Sequence, residues 1–409
     1  MTAPRPTPPL ARTPEEWAIA VRPLGGRAFH GKQVFKWVHA RGMLDARQMS
    51  DLPASLREAL AADGMDRVLD IAVERRALDH TRKLLVRMAD GATVETVLIP
   101  GVSGHKGVLP SPLRLSEAAT SGPVAPEEDA DAAAAVDDEE DDEPTVAGVE
   151  PQVRVTQCIS TQVGCAMGCV FCASGVAGLK RHMGADEIVA QVIAGRARLD
   201  PNERLSNVVY MGMGEPLHNY DAVARSLRLL THSDGINLSS RRITVSTSGL
   251  VPEIARLGED FKGNIGLAIS LHAADDETRS RLMPINKKYP LAVLMDALRK
   301  YPLPRRRRIT IEYTLVAGKN DSTLEAKKLV KLLRGLPVKV NLIPMNPIEA
   351  STLGPPNLAG VLAFQQVLVD AGYSCFIRRR RGDDVGAACG QLALIGARPR
   401  KAKVKVDGS

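Results

Sequence analysis

Apolar residues recur with two different periods along this 409-residue chain, and the changes of period divide it. From residue 13 to 66 the spacing is helical. PEEWAIAV and HGKQVFKWVHARG repeat apolar groups every three or four positions, and LPASLREALAADG has a proline near its start and a glycine after it. A small helical domain over 13–70 follows. KLLVRMADGATVETVLIP then predicts a β-hairpin extension within 71–100, because two β-rich runs flank Ala89-Asp90-Gly91. Beyond 152, short apolar runs alternate with amphipathic ones. RVTQCIS, LSNVVYMGM, RITVSTS, NIGLAISLH, RITIEYTLV and VKVNLIPM read as buried strands. GADEIVAQVIAGRARL, DAVARSLRLLT, PLAVLMDALRKY and TLEAKKLVKLLRG read as helices between them. Six successive β/α units predict a parallel sheet with right-handed crossovers. Six are too few for a closed eight-fold barrel, so the expected α/β class is a partial open (β/α)6 barrel over 151–396. Chemistry in such folds gathers at the C-terminal ends of the strands.

Three stretches fit neither period. Residues 1–12 are Pro-rich, and 101–150 are rich in Pro, Ala, Ser and acid; both are expected to be disordered, since neither can bury enough apolar surface. Residues 397–409 form a basic tail. The insert hides the charge of the remainder. Residues 115–152 hold thirteen acids and no Lys or Arg; without them 54 basic residues face 34 acidic ones, so a formal net charge of +7 becomes +20. Basic clusters at Lys180-Arg181, Arg241-Arg242, Arg305–Arg308 and Arg378–Arg381 point to a polyanionic partner such as RNA or DNA. No apolar run is long enough to span a membrane, and the N-terminus lacks a secretory apolar region, so a cytoplasmic protein is expected. In a reducing compartment, six cysteines in so long a chain imply metal or catalysis rather than a disulfide scaffold.

Four of the six lie in CISTQVGCAMGCVFC, and Cys165, Cys169 and Cys172 fall in the pattern C-x3-C-x2-C after the first barrel strand. Thiolates favour zinc or iron–sulfur chemistry. A structural zinc site closes with a fourth protein ligand, and no Cys or His at typical spacing supplies one; His182 is ten residues on. Three cysteines can instead hold three irons of a cubane and leave the fourth open to a substrate.

Here the sequence resembles the radical S-adenosylmethionine (SAM) enzymes. Phe171 matches the aromatic usual before the last cysteine, and Gly212-Met213-Gly214-Glu215-Pro216 resembles the GGEP motif. QCISTQVGCAMGCVFC, VETVLIP, VYMGMGEPLHNYD, ITVSTSGLVP, LAISLHA, LMPINKKYPL, VNLIPMNP and RRGDDVGAACGQL narrow the resemblance to the adenine-C2 RNA methyltransferases of the RlmN type, from about residue 25 to 396.

The resemblance implies one [4Fe-4S] cluster on Cys165, Cys169 and Cys172, with SAM on the open iron. It implies SAM contacts at Gly214, Glu215, Ser246, Ser270, Leu271, His272 and Asn346. Two SAM molecules serve each turnover: one methylates Cys389, and the other yields a 5′-deoxyadenosyl radical that takes a hydrogen atom from that S-methyl group. The carbon then bonds to C2 of adenine. Cys158 resolves the crosslink through a transient Cys158–Cys389 disulfide, in the manner of thiol–disulfide exchange. Glu95 matches the family's proton acceptor, for which Cys158 competes, while Cys375 reads as a core residue. The implied partners are 23S rRNA at the peptidyl transferase centre, tRNA beside the anticodon, and an external electron donor such as a flavodoxin or ferredoxin system; a monomer is expected. The alternatives are an adenine-C8 rRNA methyltransferase of the antibiotic-resistance branch, a radical enzyme with another substrate, and a non-catalytic zinc-stabilised RNA-binding protein.

Overall fold

The computed structural model describes residues 7–62, 69–101, 152–349, 351–378 and 380–392. The expected disorder of 101–150 and the tail 397–409 therefore lies, but for Gly101, outside the described residues.

The N-terminal part is helical, with α1 (Pro14–Ala20), α2 (Ala28–Phe35) and α3 (Ala54–Ala62). Thr13 caps α1 reciprocally with Glu16: the Glu16 N–H donates to Thr13 Oγ1 and the Thr13 N–H to Glu16 Oε2. A π-turn, Lys36–Ala40, continues α2. Order begins earlier than the composition of 1–12 suggests. Pro9–Ala11 form a 3-10 turn in which Leu10 is fully buried, and Arg225 donates to the Ala11 carbonyl. One well-packed leucine outweighs the proline content there.

Ten strands then form one mixed sheet. In chain order the strands are β1 (Leu69–Arg76), β2 (Arg82–Met88), β3 (Thr93–Pro100), β4 (Val153–Cys158), β5 (Gln162–Val163), β6 (Arg181–His182), β7 (Glu203–Tyr210), β8 (Ile243–Thr247), β9 (Gly266–Ser270), β10 (Ile309–Leu315), β11 (Val338–Pro344) and β12 (Cys375–Ile377). The large sheet runs β1-β2-β3-β4-β7-β8-β9-β10-β11-β12, while β5 and β6 make a separate antiparallel pair. Pairing is antiparallel from β1 to β4 and parallel from β4 onward. All six expected barrel strands are present. The hairpin extension is three-stranded, because β1 joins it, and β12 adds a short seventh parallel strand.

Helices α4 (Ala173–Ala177), α5 (Ala185–Arg196), α6 (Tyr220–Thr231), α7 (Val251–Phe261), α8 (Asp276–Leu282), α9 (Leu291–Lys300), α10 (Thr323–Leu333) and α11 (Leu358–Asp370) follow the strands. Their apolar stripes, such as Val223, Leu227 and Leu230 on α6, are buried in the main core. Strands covered on both faces lose their alternation, and Val208, Val209 and Tyr210 at the end of β7 are all buried.

Two connections position the site. Arg196 of α5 donates to the carbonyls of His39 and Ala40, tying the N-terminal helices to the sheet. The chain after β12 returns to the opposite edge of the sheet. Gly382 N–H donates to Asp79 Oδ2, Leu78 N–H to Asp384 Oδ2, and Lys83 Nζ to the Gly386 carbonyl. The segment that carries Cys389 thus crosses from β12 to the β1–β2 hairpin.

Candidate active site

Cys158 is the last residue of β4, and the cysteine loop follows β5, with Cys165 two residues beyond Val163. The neck of this loop is closed by β5 and β6. Cys165 N–H donates to Gly178 O, and Lys180 N–H to Val163 O. Gly164 has φ +79°, and any Cβ there would collide with the Gly178 carbonyl, so only glycine lets the two ends meet.

Burial pushes the Cys165 thiol up to about 12, with Cys172 and Glu215 adding to it and the Met167 N–H opposing. Burial also raises Cys169, helped by Cys172, Cys165 and Glu215 and opposed by Arg279. The three thiols therefore stand within electrostatic reach of one another, and their ionisation needs a nearby cation. Among the described residues, no three His, Cys, Asp or Glu side chains are arranged to hold a single metal ion. A cubane takes each thiolate at a different iron, so its ligands need not converge on one point. Three soft donors on one half-buried loop, flanked by Glu215 and Arg279, suit such a cluster better than tetrahedral zinc.

Glu215 is buried beside the loop. Its carboxylate accepts from the N–H of Leu217 at 3.1 Å and of Ser248 at 2.8 Å, and its own N–H donates to Gln162 Oε1 at 2.8 Å. Burial raises its pKa against those hydrogen bonds. Gly214 has φ +103°, and a Cβ there would stand 2.6 Å from the Gln162 Cβ. Ser246 and Ser270 face each other with hydroxyls 3.4 Å apart. Leu271 is buried, and its N–H donates to the Glu312 carbonyl. His272 adopts φ +56°, packs edge-on against Phe171 at 4.8 Å, and accepts the Thr314 N–H at Nδ1, which places its own proton on Nε2. Burial depresses its pKa to about 3, so the ring is neutral.

Cys389 comes to the same mouth from the C-terminal side. Asn346 donates to its carbonyl at 2.9 Å, Ala173 N–H to the Gly390 carbonyl at 2.9 Å, and Ser174 Oγ to the Leu392 carbonyl at 2.6 Å. The residue is exposed, yet it sits in a concavity whose walls desolvate the thiolate and raise its pKa; Arg378 lowers it, while Glu312 and Cys172 raise it further. Cys158 is raised by burial first and then by Cys389, with Met211 N–H and Arg378 opposing. All six cysteines are free thiols. Cys375 is buried on β12, away from this group and in register with Val340.

Glu95 is on β3, whose Val97 pairs with Cys158. Its side chain is buried rather than turned outward, its Oε1 lies 3.0 Å from Lys83 Nζ, and its carbonyl accepts from Ser160 Oγ. Lys83, which also holds the Gly386 carbonyl, was not legible as a site residue. Neither was Arg279, whose buried guanidinium donates to the carbonyls of Leu271, Ser248 and Ser270 and to Asn286 Oδ1. It binds together the loops after β8 and β9; the one sequence signal is its place one helical turn before LMPIN.

Comparison with known proteins agrees with this geometry. Residues 159–330 match the model of the radical SAM superfamily, and residues 16–64 match the ribosomal RNA large subunit methyltransferase N-terminal domain. The chain is 67% identical over 396 residues to the dual-specificity RNA methyltransferase RlmN of Sorangium cellulosum, covering 97% of each chain. It is 42% identical to the RlmN of Syntrophobacter fumaroxidans, covering 92% of this chain and 94% of the relative. The chain belongs to the RlmN family. Its fold also resembles a radical SAM methyltransferase from Sphaerobacter thermophilus, with TM-score 0.78 and 38% identity over 95% of this chain and 99% of that one. It is therefore a radical SAM RNA methyltransferase, and membership of that superfamily implies an iron–sulfur cluster and SAM. No described helix is long and apolar enough to cross a membrane.

The fold also sorts the basic clusters. Arg241-Arg242 and Arg305–Arg308 precede β8 and β10, at the strand ends opposite the cysteines. Lys180, Arg181, Arg378, Arg380 and Arg381 lie at the mouth. Of these, Arg181 is committed to Glu187 and Asp90, Arg380 to Asp383 and Arg381 to Asp79.

Proposed function

We propose that this enzyme adds a methyl group to C2 of an adenosine in 23S rRNA at the peptidyl transferase centre, and in tRNA beside the anticodon. The observation that carries this reading is the docking of the Cys389 segment on the cysteine loop, through Ala173 and Gly390, in electrostatic reach of Cys158. When bound, a [4Fe-4S] cluster on Cys165, Cys169 and Cys172 and two SAM molecules supply the methyl group and a 5′-deoxyadenosyl radical. Gly214, Glu215, Ser246, Ser270, Leu271, His272 and Asn346 would hold SAM beside the loop.

Cys389 carries the transferred carbon and becomes joined through it to adenine C2. Cys158 then attacks Sγ of Cys389. The S–C bond breaks with its electron pair going to the carbon on adenine, and that carbon takes up the proton given up by Cys158 to become the methyl group. The one electron left over from the radical addition leaves through the external redox partner, and a Cys158–Cys389 disulfide forms. Glu95, two positions before Val97 on a strand antiparallel to β4 and so toward the mouth from Cys158, takes the C2 proton. The buried Cys158 thiol is protonated at rest, so its attack awaits a base, and Arg378 eases the ionisation.

The test uses anaerobically prepared holoenzyme with SAM, reductant and an rRNA fragment, followed by nucleoside mass spectrometry. 2-Methyladenosine is expected; 8-methyladenosine would replace this reading by the C8 branch. Cys389→Ala should abolish methylation of both RNA and protein. Cys158→Ala should accumulate protein covalently attached to RNA, and clean turnover by that variant would remove the resolving role.

A further inference from the structure

Two imidazoles at the rim of the mouth are held in a fixed proton state. Gln162 is fully buried on β5. A backbone N–H can only donate, so the Glu215 N–H on its Oε1 fixes which end of the amide is oxygen. Its Nε2 then donates one hydrogen to His182 Nδ1 at 3.0 Å and the other to His218 Nδ1 at 3.2 Å. Both rings must therefore be neutral and carry their proton on Nε2, on the far side from Gln162. The rings stand 5.0 Å apart, and both residues are exposed. Exposed Lys180 precedes His182 by two residues, and its N–H extends the β5–β6 ladder, so the two side chains share a face.

We propose that Lys180, His182 and His218 form a contact for one RNA backbone phosphate at the rim of the mouth. Two outward N–H donors and one cation, with no acceptor among them, suit a phosphate rather than a base edge, which presents donors as well. The contact lies next to Glu215 in the chain and in space, so it sets the register of the RNA against the SAM site. The inference rests on the reading that an RNA adenosine is presented at this mouth.

Asparagine and glutamine substitutions test it. Asn places an amide near the Nδ1 position and can still accept from Gln162, but it removes the outward donor; Gln restores a donor near Nε2. Binding of a fluorescent rRNA hairpin containing the target adenosine to cluster-loaded protein is read by anisotropy. H182N/H218N should weaken binding about ten-fold, as expected for two neutral hydrogen bonds, and H182Q/H218Q should recover most of it. K180Q should weaken binding and reduce its salt dependence by about one phosphate contact. Wild-type affinity in the Asn variant, or equal losses in the Asn and Gln variants, overturns the proposal. Methylation of the same hairpin by wild-type enzyme is the control: its absence would count against RNA presentation at the mouth rather than against this contact.

Discussion

Gly214 shows how narrowly single residues define the proposed SAM site. Its φ of +103° is strained for any side chain, and a Cβ would meet Gln162 at 2.6 Å. Gly214→Ala should therefore cost about 2–4 kcal/mol of stability and at least ~10-fold in SAM affinity, read by thermal melting and equilibrium dialysis. The cysteine trio was legible because three thiols in eight residues have few structural explanations. Arg279, Lys83 and Gln162 were not. Each works by hydrogen-bonding main-chain atoms brought near by the fold, and nothing in a linear sequence records which carbonyls a buried arginine will find.

At the scale of elements, the same distinction follows from burial. The six barrel strands are apolar enough to read directly. β1 was missed because LDIAVERR is charged and largely exposed, and β12 because three residues carry no period. The π-turn Lys36–Ala40 holds His39, fully buried with neither ring nitrogen hydrogen-bonded. Burial first, then His232 and Arg196, depress its pKa to about 3. The unfolded chain binds that proton near 6.5 and the folded chain does not, so this contribution is complete above pH 6.5 and is lost as pH falls toward 3, at up to about 1.4 kcal/mol per unit. His39→Leu should flatten the fall in urea midpoint between pH 6.5 and 4; His272, with the same sign, leaves a residual slope.

The whole molecule separates charge from chemistry less simply than its composition suggests. Arg305–Arg308 enter β10 at its N-terminal end, and seven strand residues, roughly 23 Å, lie between that rim and the mouth. A short RNA hairpin docked at the mouth does not reach them. Arg305→Gln with Arg306→Gln should change hairpin affinity less than about two-fold, whereas loss of mouth cations should change both affinity and salt dependence. The order of units along the chain predicted the sheet, but not that the segment after β12 would cross to the β1–β2 turn. That closure joins residues about 300 positions apart through the Asp79 and Asp384 hydrogen bonds, and polar contacts of such range leave no periodic trace.

The stitched neck of the cysteine loop, with Gly164 pressed against Gly178, has a bearing on the life of the enzyme. A socket whose feet are already fastened keeps its shape whether or not its cargo is aboard. Loss and reloading of the proposed cluster would then be local events, with the surrounding architecture intact.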